Sequence, residues 1–405
     1  MNGGYQMKYR CLVLFGVVAA VVAAVSVPTA GQARRATDST AAPAKVWTQP
    51  RTAWGDPDLQ GVWRNEAGVN LERPEKFAGK PLLTDAEVAA NLKRAEQRLA
   101  DNLAGKATNR AFRNQENYNS IFNTEEEAPR VSRRTSAIVD PPDGLLPPWT
   151  PEQVKRWDER EAATRGRGET DTVDDVNLGA RCITDLSQAE VGAWGIGFRP
   201  KDSTISDGDG LGRSVGAGGP RRILQTPGYV TIFQQQEGEY YIVPLDRRPV
   251  PGPKIRQWHG VQRGHWEGNT LVVEHTNVRY GYPVIQNGSF GMYPGTGETL
   301  KLTERFTRVD ADTMEYTYTV EDPAVYTRPY TVAFDLMRND SYKHTPALCH
   351  ENNRDLAGVL GNSRGDEQQA LENGIHSFNI RRPRLEELKK RAQEAAANKQ
   401  SSTSR

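Results

Sequence analysis

From Arg221 onward the chain alternates β-branched or aromatic residues with polar ones at a period of two. Residues two apart in a strand share a face, so segments of this kind must bury one face against a common core. Eight segments carry the pattern: RILQTPGYVTIFQQ (222–235), EYYIVPLD (239–246), GVQRGHWE (260–267), TLVVEHTNV (270–278), LKLTERFTRV (300–309), TMEYTYTVED (313–322), TRPYTVAFDLMR (327–338) and YKHTPALC (342–349). Several links are as short as EG, GN and DAD, while 247–259 and 279–299 are longer loops. Serial strands with short links predict an antiparallel meander. The expected fold is therefore mainly β, closing into a barrel-like body of the calycin or lipocalin type. No blade-length repeat speaks for a propeller.

The rest of the chain is organised around this body. A short basic stretch (7–10), an apolar run (11–27) and VPTAGQA ending at Ala33 read as a secretory signal over 1–33. Residues 34–50 are small, polar and Pro-containing, and read as a flexible leader. Residues 51–180 read as a wrapping arm, helical in two places and otherwise irregular. Thr84-Asp85-Ala86-Glu87 is a capping box that opens the first helix. Thr150, with Pro151 at the first helical position, opens the second. The barrel-like domain is expected over 181–380 and a charged helical tail over 381–405. Export leaves Cys182 and Cys349 in the mature chain, and two cysteines in an oxidising compartment predict one disulfide. Two buried free thiols are the alternative. No segment after residue 30 is apolar enough to span a bilayer, so no membrane span is expected once the signal is removed. The 52 basic and 51 acidic residues leave a net charge of +1, which argues against a nucleic-acid partner.

Six histidines occur in the whole chain, and two of them fall in RGHWEGNTLVVEHTN (263–277). A two-residue turn at Gly268-Asn269 pairs Trp266 with Leu271, His265 with Val272 and Arg263 with Glu274. One face then carries Trp266, Leu271, Val273 and His275. The other is a solvated face with a cross-strand Arg263–Glu274 ion pair. Alternation in the next strand puts Glu304, Phe306 and Arg308 on one side and Arg305 on the other. A carboxylate beside Phe306 would line a cavity and act as an acid or base; the alternative is an outward ion pair with Arg328 or Arg263. His350-Glu351, directly after Cys349, forms a histidine–carboxylate element suited to proton transfer; the alternative is a histidine that caps or hydrogen-bonds a loop. Trp258-His259 sit in a loop at the expected barrel mouth. The spacing of His344, His350 and Glu351 matches no standard metal motif. G-x-S-x-G, Walker A and H-E-x-x-H are missing, and the glycine-rich 207–220 does not link a strand to a helix, so it reads as a mobile loop.

The ordered set DPDLQGVW (56–63), RTSAIVDPPDG (134–144), QTPGYV (225–230), IRQWHGVQRGHWEGNTLVVEHTN (255–277), LTERFTRVDADTMEYTYTVEDP (302–323) and CHENN (349–353) resembles a family of exported bacterial proteins of environmental species. The likeness covers most of 50–362. It implies export and organisation as a single unit, and it implies no particular chemistry. Many of those proteins carry Thr or Asp where this chain has His275.

The expected function is that of an exported protein binding a small, partly apolar organic molecule. It is read as a cofactor-independent acid/base enzyme of the lyase, isomerase or hydrolase kind. The expected catalytic residues are His350, Glu351, Glu304, Arg305 and His275. Trp266, Phe306, Trp258, His259 and Arg263 are expected to contact the ligand, and no metal or cofactor is expected. A non-catalytic lipocalin-like carrier and a cell-envelope interaction protein are the alternatives.

Overall fold

The computed structural model describes residues 47–65, 69, 71–103, 131–163, 221–234, 240–257, 260–279, 299–342, 368, 372 and 382–403. All lie within the compact unit Trp47–Arg405. The signal and most of the leader, the cysteines, the glycine-rich loop 207–220 and the segment 343–350 lie outside the described residues.

Ten antiparallel strands form a nearly closed barrel: β1 (Gly61–Asn65), β2 (Ile138–Asp140), β3 (Arg221–Thr226), β4 (Tyr229–Gln234), β5 (Tyr240–Pro244), β6 (Val261–Glu267), β7 (Thr270–Thr276), β8 (Lys301–Arg308), β9 (Thr313–Glu321) and β10 (Tyr330–Arg338). The order is β5-β4-β3-β1-β10-β9-β8-β7-β6. Two runs are meanders, as the alternation predicts. The segment 222–235 is two strands, because Pro227-Gly228 makes a tight turn with Gly228 at φ 81° and Thr226 opposite Tyr229.

The arm does more than wrap. β1 is inserted between β3 and β10, pairing Gly61 with Ile223 and Trp63 with Arg338. β2 covers the other half of the same β10 edge, where Val332 pairs with Ile138. An exposed strand edge would otherwise invite pairing with another chain. The remaining seam lies between β5 and β6, the two ends of the strand order, which form no ladder with each other. Gly264 of β6 makes this seam close. A Cβ there would stand 2.4 Å from Val243 Cγ1 and 3.0 Å from Leu245 Cδ2, so only glycine lets β5 approach so near.

Inward residues form cross-strand rows. One runs Trp266, Leu271, Phe306, Tyr316, Phe334; the next Gly264, Val273, Glu304, Tyr318, Val332; the next Gln262, His275, Leu302, Val320, Tyr330. Phe306, Tyr316, Tyr318, Phe334 and Leu271 are fully buried. Each apolar side chain of this size contributes roughly 1.5–3 kcal/mol when removed from water.

Three helices complete the described fold. α1 (Asp85–Leu103) starts at the expected capping box: Thr84 N–H donates to Glu87 at 2.8 Å and Glu87 N–H to Thr84 Oγ1 at 3.3 Å. α2 (Pro151–Ala163) is capped by Thr150, whose Oγ1 accepts from Gln153 N–H at 3.1 Å. The tail helix α3 (Arg382–Thr403) is tied to the arm through Lys389–Asp158 at 2.6 Å and Arg391–Glu72 at 3.0 Å. No helix among the described residues is long and apolar enough to cross a membrane.

Candidate functional site

Glu304 points into the barrel because β8 alternates strictly, with Leu302, Glu304, Phe306 and Arg308 inward. It is 3% exposed. Its direct neighbours across the ladders are Val273 and Tyr318, which leave the carboxylate to reach the diagonal positions. Diagonal neighbours on one sheet face lie within reach of long side chains. On the β7 side the diagonal is His275, 2% exposed, with Nε2 at 2.6 Å from Glu304 Oε2. On the β9 side it is Tyr316, whose hydroxyl donates to Oε1 at 2.5 Å. From β5, Tyr241 donates to Oε2 at 2.8 Å and sets its ring edge-on to His275 at 5.1 Å. One carboxylate thus accepts from three side chains on three strands.

Burial pushes the Glu304 carboxyl up, but the charge and hydrogen bond of His275 and the two phenol hydroxyls outweigh it. The net result is a carboxyl below its ordinary range. Burial, together with the Glu304 charge, holds the Tyr241 and Tyr316 phenols well above theirs, so both remain donors. At the other ring nitrogen, Gln262 Nε2 lies 3.3 Å from His275 Nδ1 and also donates to the Gly260 carbonyl at 3.1 Å. The imidazole is thus held at both nitrogens, Nε2 on Glu304 and Nδ1 beside Gln262. Arg221 enters the same interior from β3, with its guanidinium 5.2 Å from the centre of the Tyr316 ring.

The structure therefore brings together two of the five residues expected to be catalytic, His275 and Glu304. Arg305 lies on the outer face and pairs with Glu267 at 2.6 Å. His350 and Glu351 lie outside the described residues, as do Trp258 and His259. Phe306 is core, packed on Tyr316 at 4.8 Å between ring centres. Trp266 is inward and partly buried against that core. The expected Arg263–Glu274 ion pair is replaced. Glu274 pairs with Lys301 at 2.7 Å, while Arg263 donates to the carbonyls of Arg248 and Pro249 and so fastens the β5–β6 loop. Nor does Glu304 pair with Arg328, which meets Asp140 at 2.8 Å.

Tyr241, Tyr316, Gln262 and Arg221 were not singled out in the sequence. The alternation in EYYIVP and MEYTYTV does place Tyr241 and Tyr316 inward, and that was the available signal. Among the described residues no cluster of three or more His, Cys, Asp or Glu side chains is placed to hold a metal. Among the described residues, the fold and the site together define a barrel with a buried histidine–carboxylate pair in its interior. No protein-family model, curated protein or solved structure matches the chain.

Proposed function

We propose that this is an exported protein whose barrel interior takes a small, partly apolar organic molecule, and that His275 and Glu304 move a proton on it without a cofactor. The reaction class is that of a lyase, isomerase or hydrolase. The observation that carries the reading is the 2.6 Å contact between His275 and Glu304, two titratable groups buried together among Leu, Val, Phe and Tyr side chains. Glu304, held anionic by Tyr241 and Tyr316, orients the imidazole through Nε2 and offsets the charge it gains on protonation. Nδ1 is then the atom that takes and returns a proton, and the long 3.3 Å contact with Gln262 is the one a substrate exchanges for its own. The basic stretch and apolar run at 7–27 support export.

A carrier role is the second reading. It is favoured by one observation: Glu304 already accepts from three donors inside the protein. A panel of small aromatic and alicyclic compounds, screened by melting shift, separates the two. A compound bound by both wild type and His275→Gln, but exchanging a carbon-bound hydrogen for solvent deuterium or turning over only with wild type, supports the enzyme. Compounds that bind and leave unchanged from both proteins overturn it in favour of the carrier.

A further inference from the structure

The Tyr318 hydroxyl is fully buried and the indole Nε1 of Trp266 is shielded from solvent, yet among the described residues neither meets an acceptor. Nearly all buried polar groups in folded proteins are paired, so each exception calls for a reason. Tyr318 is no misplaced residue: β9 alternates strictly, and its ring packs against Tyr316 at 5.9 Å between centres. Phenylalanine would fill the same core space without the unmet hydroxyl. The indole can only donate, and a phenol kept neutral donates readily. Both groups therefore call for an acceptor.

The charge already present decides which kind. Tyr318 lies directly across the ladder from Glu304. The Arg221 cation from β3 and the Glu304 carboxylate both act on Tyr318 with opposite signs, so the charge around it is already balanced. An anion accepting from Tyr318 would bring an uncompensated charge into a low-dielectric core, whereas a neutral carbonyl oxygen accepts without one. The surrounding row, with Val273 and Val332, and the neighbouring Phe306 and Tyr316 suit an apolar or aromatic body.

We infer that the molecule bound in the barrel is a neutral carbonyl compound with an apolar or aromatic body, its carbonyl oxygen accepting from the Tyr318 hydroxyl. The inference rests on the small-molecule reading above and narrows it to a ligand class. It places the carbonyl on the β9 side of Glu304, opposite the β7 side that holds His275.

The test uses the full chain, its Tyr318→Phe variant and three probes of similar size: acetophenone, ethylbenzene and benzoate. Binding is followed by ligand-observed NMR and melting shift. Wild type should bind acetophenone more tightly than ethylbenzene or benzoate. Tyr318→Phe should weaken acetophenone roughly tenfold or more and leave ethylbenzene unchanged. The unliganded variant should melt at the same or a higher temperature, because an unmet buried hydroxyl has been removed. A variant that melts lower shows that the hydroxyl is a structural group and overturns the inference. Equal binding of acetophenone by both proteins, or a preference for benzoate, also overturns it and leaves the small-molecule reading standing. Failure of all three probes to bind wild type overturns that reading as well.

Discussion

At the scale of single residues, the interior turns on one carboxylate and its three donors. Replacing it removes hydrogen bonds to a charged group while leaving His275, Tyr241 and Tyr316 buried. Glu304→Gln should therefore lose roughly 2–3 kcal/mol of stability, and Tyr241→Phe and Tyr316→Phe about 1.5–3 kcal/mol each. Urea unfolding read by tryptophan fluorescence measures all three. The pH dependence follows from the direction of the Glu304 shift. Its carboxyl is more acidic in the folded protein than the ordinary value of about 4.3. Its contribution is thus fully present above that value and is lost as the pH falls through the lower folded value. Wild type should lose stability more steeply than Glu304→Gln on acidification below about pH 4.3, and parallel acid limbs would refute the assignment. The pairing itself was half legible. Alternation places His275 with Trp266 and Glu304 with Phe306 on inward faces. Which of them meet depends on the β7–β8 register, and that is set across the long connection 279–299 rather than by a tight turn.

At the scale of elements, turn chemistry separates what the sequence reveals from what it hides. The β6–β7 register, with Trp266 opposite Leu271, follows from Gly268-Asn269, although only Gly268 takes a positive φ, at 62°. The Pro227-Gly228 turn was hidden because Thr226 and Tyr229 on either side read as uninterrupted strand. β1 was hidden for a different reason. GVWRN is short and follows turn-rich DPDLQ, and its partners Ile223 and Arg338 lie far away in sequence. Gly264 has a role that no pattern announces, since its need arises from β5 across the seam. Gly264→Ala must push Val243 away, and should cost about 1–3 kcal/mol through overpacking. Hydrogen exchange should then rise in β5 and β6 before β8 and β9. Uniform protection across the sheet would show that the seam is not the weak point.

At the scale of the whole molecule, the described parts of arm and barrel lie in one compact unit. β1 and β2 seal the β10 edge, Leu59 donates its N–H to Gln225 at 2.7 Å, and Arg308 donates to the Asp58 carbonyl at 3.2 Å. A fragment starting at Arg221 should fail to reach the native fold and should aggregate through its open edges, by circular dichroism and size-exclusion chromatography. A soluble, cooperatively melting fragment would contradict this.

The central claim is that a carboxylate, Glu304, stays ionised inside the barrel because His275, Tyr241 and Tyr316 hold it. The infrared difference between wild type and Glu304→Gln tests this most directly. At neutral pH it should contain an ionised-carboxylate band that persists on acidification below about pH 4.3. A protonated-carboxyl band at neutral pH would contradict the claim.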